Sequence, residues 1–143
     1  DIDYFKGIND RYGHLVGDHV LREMGRILSE TLRSTDFTAR YGGEEFVVIL
    51  PLTTEEQSQV LAERLRQAIA ETRFTSEGKP FGITVSIGTA ALTPGALLKR
   101  RDLVDKADKA LYQAKKLGRN QVCTSQGPVA RSEDASLGAA SAG

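Results

Sequence analysis

Apolar residues return along this chain with two distinct periods. Val20, Leu21, Met24, Ile27, Leu28, Thr31 and Leu32 form one stripe at helical spacing, preceded by Gly17-Asp18. Val60, Leu61, Leu65, Ala68 and Ile69 form a second, which Thr53 or Thr54 can cap and whose first turn suits Glu55-Glu56. Leu103, Val104, Ala107, Ala110, Leu111 and Ala114 form a third, closed by Gly118 as a C-terminal cap. Between these stripes the period shortens. Asp36 to Tyr41 reads as short and extended, and Val47-Val48-Ile49-Leu50 as a buried strand ended by Pro51. Within Phe81 to Ala91, Ile83, Val85 and Ile87 alternate with Thr84, Ser86 and Gly88, a half-buried strand; Gln121 to Thr124 makes a last short one. Gly42-Gly43 lies between two extended segments and reads as a hairpin tip, with positive φ permitted at both glycines. This order predicts an α/β or α+β sandwich, one sheet with helices packed on it. From Ser125 onward Gly, Ala and Ser dominate, so residues 1–124 are expected to form one domain and residues 125–143 a disordered, functionally silent tail.

Composition constrains function more than fold. A chain of 143 residues is long enough to bury a core. Lysine plus arginine balances aspartate plus glutamate, 19 against 19, so no bulk field calls for nucleic acid or a membrane surface. One cysteine, Cys123, excludes an internal disulfide and fits a reducing, cytoplasmic setting. Two histidines, His14 and His19, cannot build a His/Cys zinc cluster. No apolar run approaches the roughly 20 residues that span a bilayer. The chain opens on Asp1-Ile2-Asp3 without an initiator methionine, which predicts a piece of a longer protein with anchoring or regulatory segments upstream.

Three clusters carry candidate chemistry. In Arg40-Tyr41-Gly42-Gly43-Glu44-Glu45-Phe46 two acids stand beside backbone with no side chains to obstruct a ligand. A carboxylate there can hold a hard cation and the glycine amides can meet phosphate oxygens; the plain alternative is a glycine turn with two solvated acids. A regular strand would send Glu44 and Glu45 to opposite faces, so both serve one site only if the turn breaks that alternation. Arg40 lies close enough in sequence for a phosphate role. In Asp1-Ile2-Asp3-Tyr4-Phe5-Lys6-Gly7-Ile8-Asn9-Asp10, acids spaced by one on an extended chain share a face. If Asp1 ends a strand beside the hairpin, it and Glu44 can share a divalent cation, with Lys6 offering charge to phosphate; the alternative is a polar strand-to-helix loop. Lys115 and Arg119 lie four apart at a helix end, where they suit either phosphate or the helix dipole.

Taken together, these clusters resemble the GGDEF family, the diguanylate cyclases. The matching pieces are Asp1-Ile2-Asp3-x-Phe5-Lys6-x-Ile8-Asn9-Asp10, Gly13-His14-x-x-Gly17-Asp18, the Arg40–Phe46 segment, Val85-Ser86-Ile87-Gly88, and Ala107-Asp108-x-Ala110-Leu111-Tyr112-x-Ala114-Lys115 with Gly118-Arg119-Asn120. Ordered motifs over nearly everything before Ser125 are far more specific than any one of them. The resemblance implies a palm-like, mostly antiparallel sheet flanked by helices, of the nucleotidyl cyclase and polymerase type. It implies a reaction in which two GTP molecules become cyclic di-GMP and two pyrophosphates, across a homodimer or higher homo-oligomer that pairs two half-sites.

Carried over residue by residue, the resemblance makes Asp1, Glu44 and the Ile2 carbonyl ligands of two Mg²⁺ or Mn²⁺ ions, with Glu45 a further ligand. It gives Glu44 the deprotonating role, with Glu45 second. Asn9 and Asp18 match guanine readers: a carboxylate accepts from guanine N1–H and its exocyclic amine, and adenine offers neither at those positions. Asp18 is also placed to cap the helix that follows. Lys6, Lys115 and Arg119, with backbone amides around Phe5, would neutralise the β- and γ-phosphates. Arg33-Ser34-Thr35-Asp36 has the RxxD pattern at the spacing of the family's inhibitory product site, and Arg64 falls where a second arginine of that site belongs. The family's leading Asp-x-Leu-Thr-Gly-Leu-x-Asn-Arg-type helix and the body of its first central strand are not in this sequence. The rival reading is an inactive module that binds cyclic di-GMP or dimerises.

Overall fold

The structure, a computed structural model, describes residues 1–92, 95 and 100–131. The chain runs α1 (Phe5–Tyr12), α2 (His14–Thr31), β1 (Phe37–Arg40), β2 (Phe46–Ile49), α3 (Glu55–Glu71), β3 (Arg73–Ser76), β4 (Lys79–Gly82), β5 (Ile87–Gly88), α4 (Arg100–Lys116), β6 (Val122–Thr124) and β7 (Gly127–Pro128). It is an α+β fold. β1 and β2 form one antiparallel hairpin and β3 and β4 another; β5 pairs parallel to β6, and β6 antiparallel to β7. Residues 1–3 join the ladders: Ile2 bridges Val85 on one side, while its N–H reaches Glu44 O at 3.2 Å on the other.

The helical stripes bury much as their spacing predicts. Val20, Met24, Ile27 and Leu28 of α2 meet Leu65 and Ile69 of α3 in a core that includes Ile2, Phe5, Phe74, Ile83 and Val85. A separate small cluster, Ala110 and Ala114 of α4 with Cys123 of β6, holds the last helix on the sheet. Thr54 is the cap of α3, in a capping box with Gln57. Among the described residues no helix is long and apolar enough to cross a membrane.

Several expectations fail for identifiable reasons. Val60 is 70% exposed and Val104 39%, although both lie on apolar stripes. The interior position on α3 is taken instead by Glu63 and Arg66, which pair at 2.6 Å with both side chains below a tenth exposed. The opening segment is a helix after its first residues, because Tyr4 takes a left-handed φ of 57° and turns the chain from the sheet into α1. α2 begins at His14 with Gly13 as its cap, so Asp18 lies inside the helix and does not cap it. The alternation across Phe81–Ala91 breaks into β4, the Val85 bridge and β5, and Ser86, expected on the wet face, is fully buried. A two-residue turn with positive φ at both centres does occur, at Glu77-Gly78 between Ser76 and Lys79, not at Gly42-Gly43. Arg40 pairs with Phe46, so the tip expected to be tight is a five-residue loop, and neither of its glycines has positive φ.

Pairing also continues past Ser125. β7 returns onto β6 through a turn closed by Gly127, whose φ is 125°, and Val129 N–H donates to Val122 O at 2.9 Å. Of the expected tail, residues 132–143 lie outside the described residues.

Gly88 is where sheet and α4 touch most closely. A Cβ added there would lie 2.2 Å from Ala107 O and 2.3 Å from Leu111 N, backbone atoms that cannot swing aside. Gly88→Ala is therefore expected to destabilise the fold by about 3 kcal/mol. Urea denaturation should show a lowered midpoint at unchanged slope, and a midpoint equal to the parent's would contradict this packing.

Candidate active site

Three stretches distant in sequence converge on one cleft. Residues 1–3 run antiparallel to residues 84–86, with Asp3 N–H on Thr84 O at 2.9 Å and Ser86 N–H on Asp1 O at 3.0 Å. The Asp1 nitrogen completes the pairing by donating to Ser86 O at 3.1 Å. As an amino group that nitrogen is pushed down to about 6, first by burial and then by the nearby Lys115 charge; as a peptide nitrogen it would make the same bond uncharged. The cleft, about 340 Å³, is lined by Asp1, Gly43, Glu44, Glu45 and Lys115. Lys115 Nζ contacts Asp1 Oδ2 at 2.9 Å, and the Asp1 side chain is only 4% exposed.

The loop shape explains how both acids reach one cleft. β2 starts at Phe46, so Glu44 and Glu45 precede regular strand alternation. Tyr41 and Gly42 both donate to Glu45 O, at 2.8 and 3.3 Å, which curls the loop on itself. A Cβ at Gly42 would sit 2.7 Å from Glu45 Oε2, so a side chain there would push the Glu45 carboxylate from its present place. Arg40 clamps the same loop from outside, donating to Gly42 O and Gly43 O at 2.8–3.2 Å, and that is where its guanidinium is engaged.

The end of α4 supplies the cations. Gly118, Arg119 and Asn120 have φ values of 111°, 64° and 47°, so three successive left-handed residues turn the chain out of the helix. Arg119 lies over the Tyr4 ring, 4.3 Å from its centroid, and donates to Tyr4 Oη at 3.2 Å. The first amides of α1, at Phe5 and Lys6, lack intrahelical acceptors, and Lys6 is exposed.

Below the cleft lies a carboxylate that motif reading left without a task. Asp3 is 4% exposed and accepts from Ser86 Oγ at 2.6 Å, Thr84 Oγ1 at 2.7 Å and Asn120 N at 3.0 Å. Asp1 and Asp3 both turn toward the end of α4, as extended alternation requires, but only Asp1 lines the cleft. The signal for Asp3 was its place two residues after Asp1; its partners 81 and 117 residues away left none.

The family model for "Diguanylate cyclase, GGDEF domain" matches residues 1–121. The chain belongs to the GGDEF family. It is similar to Diguanylate cyclase A of Treponema denticola, 44% identical over 126 residues, which are 88% of this chain and 34% of that protein. Diguanylate cyclase DgcP of Pseudomonas aeruginosa is 48% identical over 122 residues, 85% of this chain and 18% of that one. This chain thus spans 34% of the length of the first relative and 18% of the second. Among solved structures it is similar to the GGDEF domain of DgcB from Caulobacter crescentus in complex with c-di-GMP, at 35% identity and TM-score 0.82, covering 88% of this chain and 74% of that one. The active GGEEF domain of a diguanylate cyclase from Vibrio cholerae matches at 38% identity and TM-score 0.79, covering 86% and 77%.

Two further groups of this GGDEF domain come together. Arg33, Asp36 and Arg64 line a separate cavity of about 300 Å³, with Leu50, Val60 and Leu61 as its apolar wall. Asp36 Oδ2 accepts from Arg33 N at 2.8 Å, and Arg64 donates to Thr31 O at 3.1 Å, so all three are held at its rim. At the α1–α2 junction Asn9 lies against Gly17, the neighbour of exposed Asp18.

A Cβ on Gly17 would lie 1.9 Å from Asn9 Oδ1 and 3.3 Å from the Phe5 ring. Gly17→Ala should therefore expel the Asn9 side chain and lower stability by about 1–3 kcal/mol. Truncating Asn9 to Ala in the same chain should restore most of that loss. If the double variant unfolds as easily as Gly17→Ala alone, this contact is not the cause.

Proposed function

We infer that the chain is the catalytic domain of a diguanylate cyclase, joining two GTP molecules into cyclic di-GMP with release of two pyrophosphates. The observation that carries this is the convergence of Asp1, Glu44, Glu45 and Lys115 on one cleft, acids from two motifs opposite a cation from a third. Among the described residues no three Asp, Glu, His or Cys side chains gather as a metal cage. Mg²⁺ does not need one: it takes one or two protein carboxylates and completes its shell with water and substrate phosphates. Asp1, Glu44 and the Ile2 carbonyl, with Glu45 in addition, are hard oxygen donors suited to two Mg²⁺ or Mn²⁺ ions. Bound there, the metal would offset phosphate charge and ease ionisation of the attacking hydroxyl.

The chain's own groups then act in order. Asn9 and Asp18 read guanine. Lys115 exchanges the Asp1 carboxylate for the triphosphate, joined by Lys6, Arg119 and the amides at Phe5. Glu44 accepts the proton of a 3′-hydroxyl, whose oxygen bonds to the α-phosphorus of the facing nucleotide. The bond from that phosphorus to the bridging oxygen breaks, and pyrophosphate leaves with the electron pair. The step occurs twice, once at each half-site, so two copies must face each other. Arg33, Asp36 and Arg64 supply a guanine-binding rim for product, where feedback inhibition would act; the DgcB domain solved in complex with c-di-GMP supports product binding by a domain of this kind.

Incubation of the chain as its gene encodes it with GTP and Mg²⁺, followed by chromatography, should yield cyclic di-GMP. Glu44→Ala should lower the rate by at least about 10²-fold, and turnover surviving that change would remove the mechanism. Arg33→Ala should keep the initial rate while the progress curve loses its slowing by product. No cyclic di-GMP, together with tight binding of added cyclic di-GMP, would favour the receptor reading instead.

A further inference from the structure

We propose that Asn120, held by the buried Glu63–Arg66 pair, is a positioning residue that aims Arg119 and Lys115 at the triphosphate. Three observations carry this. First, Arg119 and Asn120 are consecutive non-glycine residues in the left-handed region, which asparagine adopts readily but arginine does not, so Arg119 needs its surroundings to hold it there. Second, the contacts that do so are present: Asn120 N–H donates to Asp3 Oδ2 at 3.0 Å, and Asn120 Oδ1 accepts from Arg66 Nη1 at 2.7 Å. Arg119 N–H also donates to Ala114 O at 2.9 Å, which closes the turn onto the helix that carries Lys115. Third, Arg66 is itself fixed, as a fork of 2.6 and 2.8 Å on Glu63, with both residues 6% exposed.

A planar guanidinium locked on one carboxylate has little freedom to follow a moving partner. Asn120 is thereby fastened from two directions, by α3 through its side chain and by the sheet through its N–H. Neither Glu63 nor Arg66 lines the cleft, so their effect on substrate passes through the backbone of residues 118–120. The inference rests on the phosphate role given above to Arg119 and Lys115. It predicts a selective defect: contacts to the outer phosphates suffer, and contacts to guanine and the α-phosphate do not.

The test measures binding of an α,β-methylene GTP analogue, whose α–β link cannot be cleaved, alongside binding of GMP. Asn120→Gly keeps the N–H and tolerates positive φ while deleting the acceptor for Arg66. It should weaken the analogue about tenfold and leave GMP within about twofold, the size expected for displaced contacts at an otherwise intact site. The double variant Glu63→Met/Arg66→Met removes the same bond from the other side without leaving a lone buried charge, and should reproduce that selectivity. In a Lys115→Ala/Arg119→Ala background Asn120→Gly should add less than about twofold, because the groups it positions are gone. Equal loss of analogue and GMP, no loss of either, or a full additive loss beyond Lys115→Ala/Arg119→Ala overturns the proposal. Analogue binding without cyclic di-GMP from GTP would sink the cyclase reading alone, whereas an unmodified chain that does not bind the analogue would sink both.

Discussion

The carboxylate of Asp3 lies where three separately coded pieces of the chain meet. It takes hydrogen bonds from Ser86 and Thr84 of the neighbouring extended segment and from the backbone of Asn120 beyond α4. A carboxylate this deeply buried is tolerable only when its oxygens are well supplied with donors, and here they receive three. The consequence is geometric. Asp1, two residues earlier, and Lys115, five residues before Asn120, are brought within 2.9 Å of each other because Asp3 fixes the spacing of the segments that carry them. The two-residue step of an extended chain then decides that Asp1 opens into the cleft while Asp3 stays beneath it.

Charge is arranged differently at the two levels. Beneath the cleft, Glu63, Arg66, Asn120 and Asp3 form a connected set with no buried side-chain polar atom left unpartnered among the described residues. Such a set is rigid, because losing one member leaves another uncompensated in a low dielectric. At the surface, Asp1, Glu44 and Glu45 outnumber the one cation, Lys115, that lines the cleft with them. That excess of negative charge suits a place where cations and a cation-bound polyphosphate are received. The Lys115–Asp1 contact spans both roles: a third of the lysine side chain is exposed, while the Asp1 carboxylate is 4% exposed and needs another cation when the lysine turns to phosphate.

Glycines illustrate where local reasoning stops. Gly42 and Gly43 suggested a tight turn, yet the hairpin tip spans five residues and the positive-φ pair sits at Glu77-Gly78. Gly88 is needed because the backbone of α4 presses close, while at Gly17 and Gly42 the approaching atoms are the side chains of Asn9 and Glu45. Conformational freedom can be guessed from a dipeptide. Close approach cannot, because the approaching atom comes from elsewhere in the fold.

The sequence by itself determined the helical stripes of α2 and most of α3, the hairpin strands, a threonine cap at Thr53 or Thr54 and the family, since each rests on residues adjacent or one turn apart. It also supplied the acids and bases of the candidate site as motif members. Tertiary structure alone decided that Val60 stays out while Glu63 and Arg66 go in, and that Ser86 faces a buried carboxylate. It decided that α2 starts four residues before Asp18, and that Glu44 and Glu45 share a cleft because the loop curls before β2 begins. The division has one physical cause. Periodicity and capping are short-range and leave their mark in neighbouring residues. Burial of the Asp3 carboxylate depends on donors that arrive from 81 to 117 residues away, and no local pattern records their arrival.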